Sequence, residues 1–147
     1  MILNNTSNSL GHLTYCSNIH PAEEWIGVFN KLKKHLPEIK KEVSPDQSFG
    51  LGLRISNLAA NDLKNEKYLN EFQDFLKDGD YYVFTLNGFP YGNFHGKPVK
   101  EGAYKPDWSK DDRLIYTNLL ADHLAKLLPD NLKEGTISTV PGSYKTW

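Results

Sequence analysis

An imidazole can move a proton near neutral pH or ligate a metal, and this chain carries two in positions suited to such work. His95 stands between Phe94 and Gly96 in a long run, Asn87 to Trp108, that also supplies Tyr91, Asn93, Lys100, Glu101, Tyr104, Asp107 and Trp108. His20 stands before Pro21, where a helix is expected to start and its positive end would favour the neutral ring. The two are the candidate metal ligands and, with Lys100 and Glu101, the candidate catalytic groups. Each also has a plainer reading: His95 hydrogen-bonded inside its loop, His20 as a structural cap, Lys100 and Glu101 as solvated neighbours.

Substrate contacts are expected from Asn18, Arg54, Asn87, Tyr91, Tyr104 and Trp108. Arg54 can hold a phosphate bidentately or pair with a nearby carboxylate. Asn87-Gly88 either makes a turn or presents a substrate contact. The rings of Tyr91, Tyr104, Trp108 and Phe94 can stack on a sugar or an aromatic metabolite, and can equally fasten the loop to its domain. Cys16 reads as an inert buried thiol. Gly50-x-Gly52 falls inside a strand, so it is no dinucleotide fingerprint. Glu23-Glu24 and Asp111-Asp112 are explained by helix dipoles.

The elements that must position these groups alternate. Leu13 to Cys16 reads as a strand, and Trp25, Val28, Phe29, Leu32, Leu36 and Ile39 mark an amphipathic helix with Pro21 in its first turn. Gln47 to Ser56 is a strand in which Phe49, Leu51, Leu53 and Ile55 alternate with Gly50, Gly52 and Arg54. Ser56 caps a helix from about Asn57, and a second helix runs from about Asn65 to Asp78 and stops at Gly79. Tyr81 to Leu86 reads as a strand buried on both faces. The loop follows it. Ser109 then caps a helix whose buried face is expected to be Leu114, Ile115, Leu119, Leu120, Leu124 and Leu127 or Leu128, and Thr136 to Val140 is the last strand.

Strand–helix alternation of this kind means an α/β fold with parallel strands and right-handed crossovers. The strand ends then lie on one rim, which puts His20 beside His95. Residues 1–12 are expected as a flexible arm and 13–147 as the domain.

Composition narrows the partners. Of 147 residues, 39% are hydrophobic and 24% charged, and the net charge of −1 gives no reason to expect nucleic acid. Only Arg54 and Arg113 of the 17 basic residues are arginine, so phosphate recognition has few candidates. A lone cysteine excludes an internal disulfide. No secretory signal or membrane-length apolar run is found, so no membrane insertion and a cytoplasmic setting are expected.

Six blocks carry a resemblance: LTYCSNIHP-x-E-x-W (13 to 25), FGLGLRIS (49 to 56), FTLNGFPYG-x-FHG (84 to 96), VK-E-x-x-Y-x-PDW (99 to 108), YTNLLAD (116 to 122) and STVPGSYK (138 to 145). In order, they resemble the N-terminal part of the metabolite-traffic EboE family, which is associated with xylose isomerase-like, sugar phosphate isomerase/epimerase TIM barrels. The resemblance implies the N-terminal half of a (β/α)8 barrel, since a whole barrel needs about 250 residues. It further implies a small-molecule metabolite as partner and a divalent metal (Zn, Mn or Mg) held mainly by residues of later strands, so that any metal site here is incomplete. Metal-assisted sugar isomerisation or epimerisation and non-catalytic carriage of a hydrophobic or prenylated metabolite are the two activities it leaves open. Half a barrel also leaves open sheet edges, which a homo-oligomer of pseudo-halves would cover.

Overall fold

The computed structural model describes residues 1–4, 9–93, 95–96 and 99–147. Phe94 lies outside the described residues. Where a loose arm was expected, β1 (Ile2–Asn4) pairs antiparallel with β2 (Ser9–His12). The pairing ends at the main sheet: Leu13 N–H donates to Met1 O at 2.9 Å, and His12 Nδ1 lies 3.0 Å from the Tyr82 hydroxyl.

The main sheet is parallel throughout. Its strands are β3 (Thr14–Cys16), β4 (Phe49–Arg54), β5 (Tyr81–Asn87) and β6 (Thr136–Ser138), and they lie in that order. Consecutive strands are therefore neighbours. A doubly wound sheet reverses its order part-way and places helices on both faces; a sheet that never reverses keeps every crossover on one side, as in half of a (β/α)8 barrel. The fold is α/β of this second kind.

Alternation in β4 explains the two faces. Phe49, Leu51 and Leu53 join Val83 and Leu86 of β5 in one core with the helices. Gly50, Gly52 and Arg54 point the other way, level with Thr14, Cys16, Tyr82, Thr85 and Asn87. The glycines are needed there: a Cβ on Gly50 would stand 3.2 Å from the rings of Tyr82 and Phe84 and 3.1 Å from the Leu13 carbonyl. This inner face is polar, with Thr136 donating to Thr85 Oγ1 at 2.8 Å and Ser138 to Asn87 Oδ1 at 2.9 Å. β5 is consequently not buried on both faces. A register shift opposite Leu51–Gly52 adds a residue, and Tyr82, Phe84 and Thr85 are half-exposed.

The outer layer comprises α1 (Trp25–Val43), α2 (Asn57–Asp62), α3 (Glu66–Asp78) and α4 (Asp111–Leu127). Ser56 caps α2 by accepting from Ala59 N–H at 3.2 Å, and α3 stops at Gly79, both as expected. Three helix details differ. Pro21 is outside α1, which begins four residues later because Glu23 is pinned instead: its carbonyl accepts from the Ser56 hydroxyl and from Ala59 N–H. Ser109 does not cap α4: Lys110 occupies the cap position, without a side-chain cap bond, and the Ser109 hydroxyl turns back to donate to Asp107 Oδ1 at 2.6 Å. The buried stripe of α4 is Arg113, Tyr116, Leu120, His123, Leu124 and Leu127, whereas Leu114 and Ile115 are half or more exposed. Among the described residues, no helix is long and apolar enough to cross a membrane.

Candidate functional site

Each strand of the main sheet hands the chain to the same rim, and two of the resulting loops face each other there. The turn after β3 is a single 3-10 turn, Ser17–Ile19, anchored because the Ser17 hydroxyl accepts from Arg54 N–H at 2.9 Å. Ile19, Pro21, Ala22 and Glu23 form one wall of a cleft of about 580 Å³; Asn93, His95 and Gly96, from the loop after β5, form the other.

His95 is the polar centre of that second wall. Asn93 Oδ1 accepts from the backbone N–H of His95 at 2.8 Å, a local turn that sets the start of the ring. Its Nε2 lies 2.9 Å from the Asn18 carbonyl. A carbonyl only accepts, so Nε2 carries a proton, while Nδ1 is enclosed by the protein. The contact ties the loop after β5 to the turn after β3. Asn18 contributes that carbonyl, while its side-chain Oδ1 is buried without a hydrogen-bond partner among the described residues.

Arg54 turns out to be scaffold. It is 3% exposed, and its Nη1 donates to Glu23 Oε1 and to the Ala22 carbonyl, each at 3.0 Å. Nη2 donates to the Gly92 carbonyl at 2.8 Å and reaches Glu23 Oε2 at 3.3 Å. One guanidinium thus holds both walls from beneath, which is the ion-pair reading rather than the phosphate one. It also replaces the helix-dipole explanation of Glu23.

His20 does not meet His95. Its ring stacks on His35 of α1, with centroids 4.5 Å apart and planes 8° from parallel, and Nε2 lies 2.6 Å from the Tyr15 hydroxyl. Burial, then the neighbouring His35 and Lys31, push its pKa below the ordinary 6.5. Both histidines therefore grip the Ser17–His20 turn, each with its own partners.

The remaining candidates are dispersed. Asn87 Oδ1 accepts from Phe89 N–H and the Ser138 hydroxyl, both at 2.9 Å, joining β5 to β6. Tyr91 packs edge-on against Tyr116, with the Arg113 guanidinium 5.7 Å from its ring centre. Tyr104 lies between Phe89 and Tyr144, at 5.5 and 5.1 Å, and Tyr144 continues to Trp147 at 5.5 Å. Trp108 Nε1 donates to the Val140 carbonyl at 2.8 Å. Lys100 and Glu101 are exposed on a 3-10 turn, Lys100–Tyr104, away from the cleft. Cys16 is exposed on the inner face, contrary to the buried thiol expected.

Sequence reading missed the second arginine's role altogether. Arg113 is fully buried, donates from Nε to Pro106 O and from Nη1 to Gly88 O at 2.8 Å each, and so binds both ends of the long loop. Asp107 closes the same loop onto the chain after β6: the hydroxyls of Ser109 and Ser143 hold its carboxyl down to about 2. The signal for Asp107 was its neighbours Pro106 and Ser109, and for Arg113 its being one of two arginines; neither has a periodicity to detect.

Among the described residues, no three His, Cys, Asp or Glu side chains gather, and the Glu23 carboxylate beside the cleft is already engaged by Arg54. Comparison with known proteins adds no assignment: no family model, curated protein or solved structure matches the chain.

Proposed function

We propose that the chain is the N-terminal half of a sugar isomerase-like (β/α)8 barrel of the EboE metabolite-traffic type, and that the rim cleft binds a small, polar, sugar-sized metabolite. The observation that carries the reading is the cleft itself: loops from the C-terminal ends of β3 and β5 form facing walls, with a histidine between them. Parallel α/β folds bind ligands on that rim, and about 580 Å³ is an ordinary size for a small-molecule site. Two other depressions, about 660 Å³ beside Met1–Leu3 and about 620 Å³ between α1 and α3, lie away from the loops that form the cleft.

In the isomerase reading, a proton moves from the carbon next to a carbonyl to the adjoining carbon while the hydroxyl proton passes between the two oxygens, and His95, with Nε2–H on the Asn18 carbonyl and Nδ1 enclosed, holds the two walls in place for that step. No external oxidant or reductant is required. A second reading is supported by the ring series Phe89, Tyr104, Tyr144 and Trp147: a carrier for a hydrophobic or prenylated metabolite, without catalysis. Titration with an unphosphorylated aldose and with an aromatic ligand, each with and without EDTA, separates them. Sugar binding lost in His95→Ala favours the first; quenching of tryptophan fluorescence by the aromatic ligand alone favours the second.

The partner that completes the sheet belongs to the same proposal. β3 and β6 are its outer strands, and a two-fold axis along the barrel would set β6 of each copy beside β3 of the other, closing both edges at once. A cytoplasmic setting goes with this reading, supported by the single free thiol.

A further inference from the structure

Between α1 and α3, on the helical side of the sheet, runs an open groove of about 620 Å³. Its floor is aromatic. Phe75 lies edge-on to Phe29 at 5.4 Å and tilted against Tyr81 at 5.3 Å, so rings from α1, α3 and the start of β5 adjoin. Tyr81 is 8% exposed and lines the groove, yet its hydroxyl has no hydrogen-bond partner among the described residues. The chain makes room for that ring: a Cβ on Gly79 would stand 2.0 Å from it. The floor thus carries one unspent polar atom.

The two lips differ in charge. Glu71, Asp74 and Asp78 follow one another along a single side of α3, about 4.5 and 6 Å apart along its axis. Glu71 has a loose, exposed contact with Lys67 at 3.9 Å, and among the described residues Asp74 and Asp78 have no ion-pair partner. Across the groove stands Lys33 of α1, its ammonium 4.4 Å from the centre of the Phe29 ring. The protein itself therefore seats a primary ammonium on this floor.

Ring faces attract cations, carboxylates pair with them, and methylenes between charges bury against apolar surface. We propose that the groove binds a linear aliphatic polyamine: ammonium groups three or four methylenes apart meet Glu71, Asp74 and Asp78 in step, one of them donating to the Tyr81 hydroxyl, while the chain between them lies on Phe75 and Phe29. A divalent metal ion gains nothing from the rings. A single ammonium leaves carboxylates unmet. Lys33 is the built-in competitor for the Phe29 face, and the site is independent of the rim cleft and of what binds there.

The test is a titration of the full chain with spermidine at neutral pH and physiological ionic strength, followed by calorimetry and amide NMR. Saturable one-to-one binding is expected, with shifts centred on Lys33 and on the run from Glu71 to Tyr81. Tyr81→Phe keeps the ring and removes only the hydroxyl; it should weaken binding about tenfold, the worth of a hydrogen bond from a charged donor. Lys33→Gln, at an exposed position, should tighten it by removing a like charge and clearing the Phe29 face. Magnesium ion and propylamine, at the same concentration, should not saturate the site. Unchanged affinity in both variants, magnesium binding as tightly as spermidine, or shifts centred elsewhere would overturn the proposal. A lysine-rich peptide that displaces spermidine at lower concentration would overturn it too, by assigning the groove to a protein partner.

Discussion

The Glu23 carboxylate and Arg54 guanidinium meet at 3.0 Å under the cleft, with only 2% of the arginine side chain exposed. Removing one member of such a pair leaves a buried charge uncompensated, a loss of about 3–5 kcal/mol. Glu23→Gln should therefore lower the urea midpoint sharply, and adding Arg54→Met should recover part of the loss; additive losses in the double variant would show that the two do not act as a pair. His95 behaves differently. Its Nε2 holds the Asn18 carbonyl, and losing that hydrogen bond in His95→Ala should cost about 1 kcal/mol of stability while abolishing sugar binding, read by calorimetry. A large loss of stability would return His95 to the structural reading. At this scale the sequence identified residues better than partners. Arg54 was legible as half of an ion pair because arginine on a strand end has few other uses, but Glu23 was assigned to a helix start that lies further on. His20 was placed on the rim, and no local signal linked it to His35, which is far away in sequence and close only through packing of α1 on β3.

Helix α4 shows why element positions were easier to read than faces. Its leucines suggested a stripe through Leu114 and Ile115, yet the buried stripe passes through Arg113, Tyr116 and His123, polar residues that apolar periodicity cannot count. His123 makes that face sensitive to acid. It is 2% exposed, and its Nε2–H donates to the Ala60 carbonyl at 2.7 Å. Burial leads the causes that set its pKa below the ordinary 6.5. The folded state thus disfavours the charged ring more than the unfolded chain does, and stability should be intact above about pH 6.5 and fall as pH drops below it. His123→Gln should flatten the decline in urea midpoint between pH 7 and 5; an unchanged slope would assign it elsewhere. Where α4 meets the sheet, Gly88 leaves no room: a Cβ there would lie 2.7 Å from Leu120 and 3.1 Å from the Ser138 carbonyl. Gly88→Ala should cost about 1–3 kcal/mol as helix or strand gives way. A neutral result by thermal denaturation would mean that β6 is loosely seated. Strand order was legible because β4 and β5 carry dense β-branched, aromatic and apolar runs between clear turn signals. The antiparallel pairing of β1 and β2 was not, since its Asn, Ser and Gly content reads as loop.

On the scale of the molecule, the unreversed strand order puts all helices on one face and leaves the other polar and floored by Gly50 and Gly52. A complete barrel fills its interior with bulky branched side chains. Threonine, serine and cysteine line much of this one instead, which suits a face that another half must meet. Native mass spectrometry should accordingly give a dimer of the 147-residue chain; a monodisperse monomer would contradict the pairing of two copies without touching the cleft. The most direct measurement is an amide NMR titration of the full chain at neutral pH with an unphosphorylated aldose. The account predicts saturable shifts confined to Asn18–Glu23 and Asn93–Gly96, the two walls joined by His95. Shifts centred on the groove between α1 and α3, or none at millimolar sugar, would contradict it.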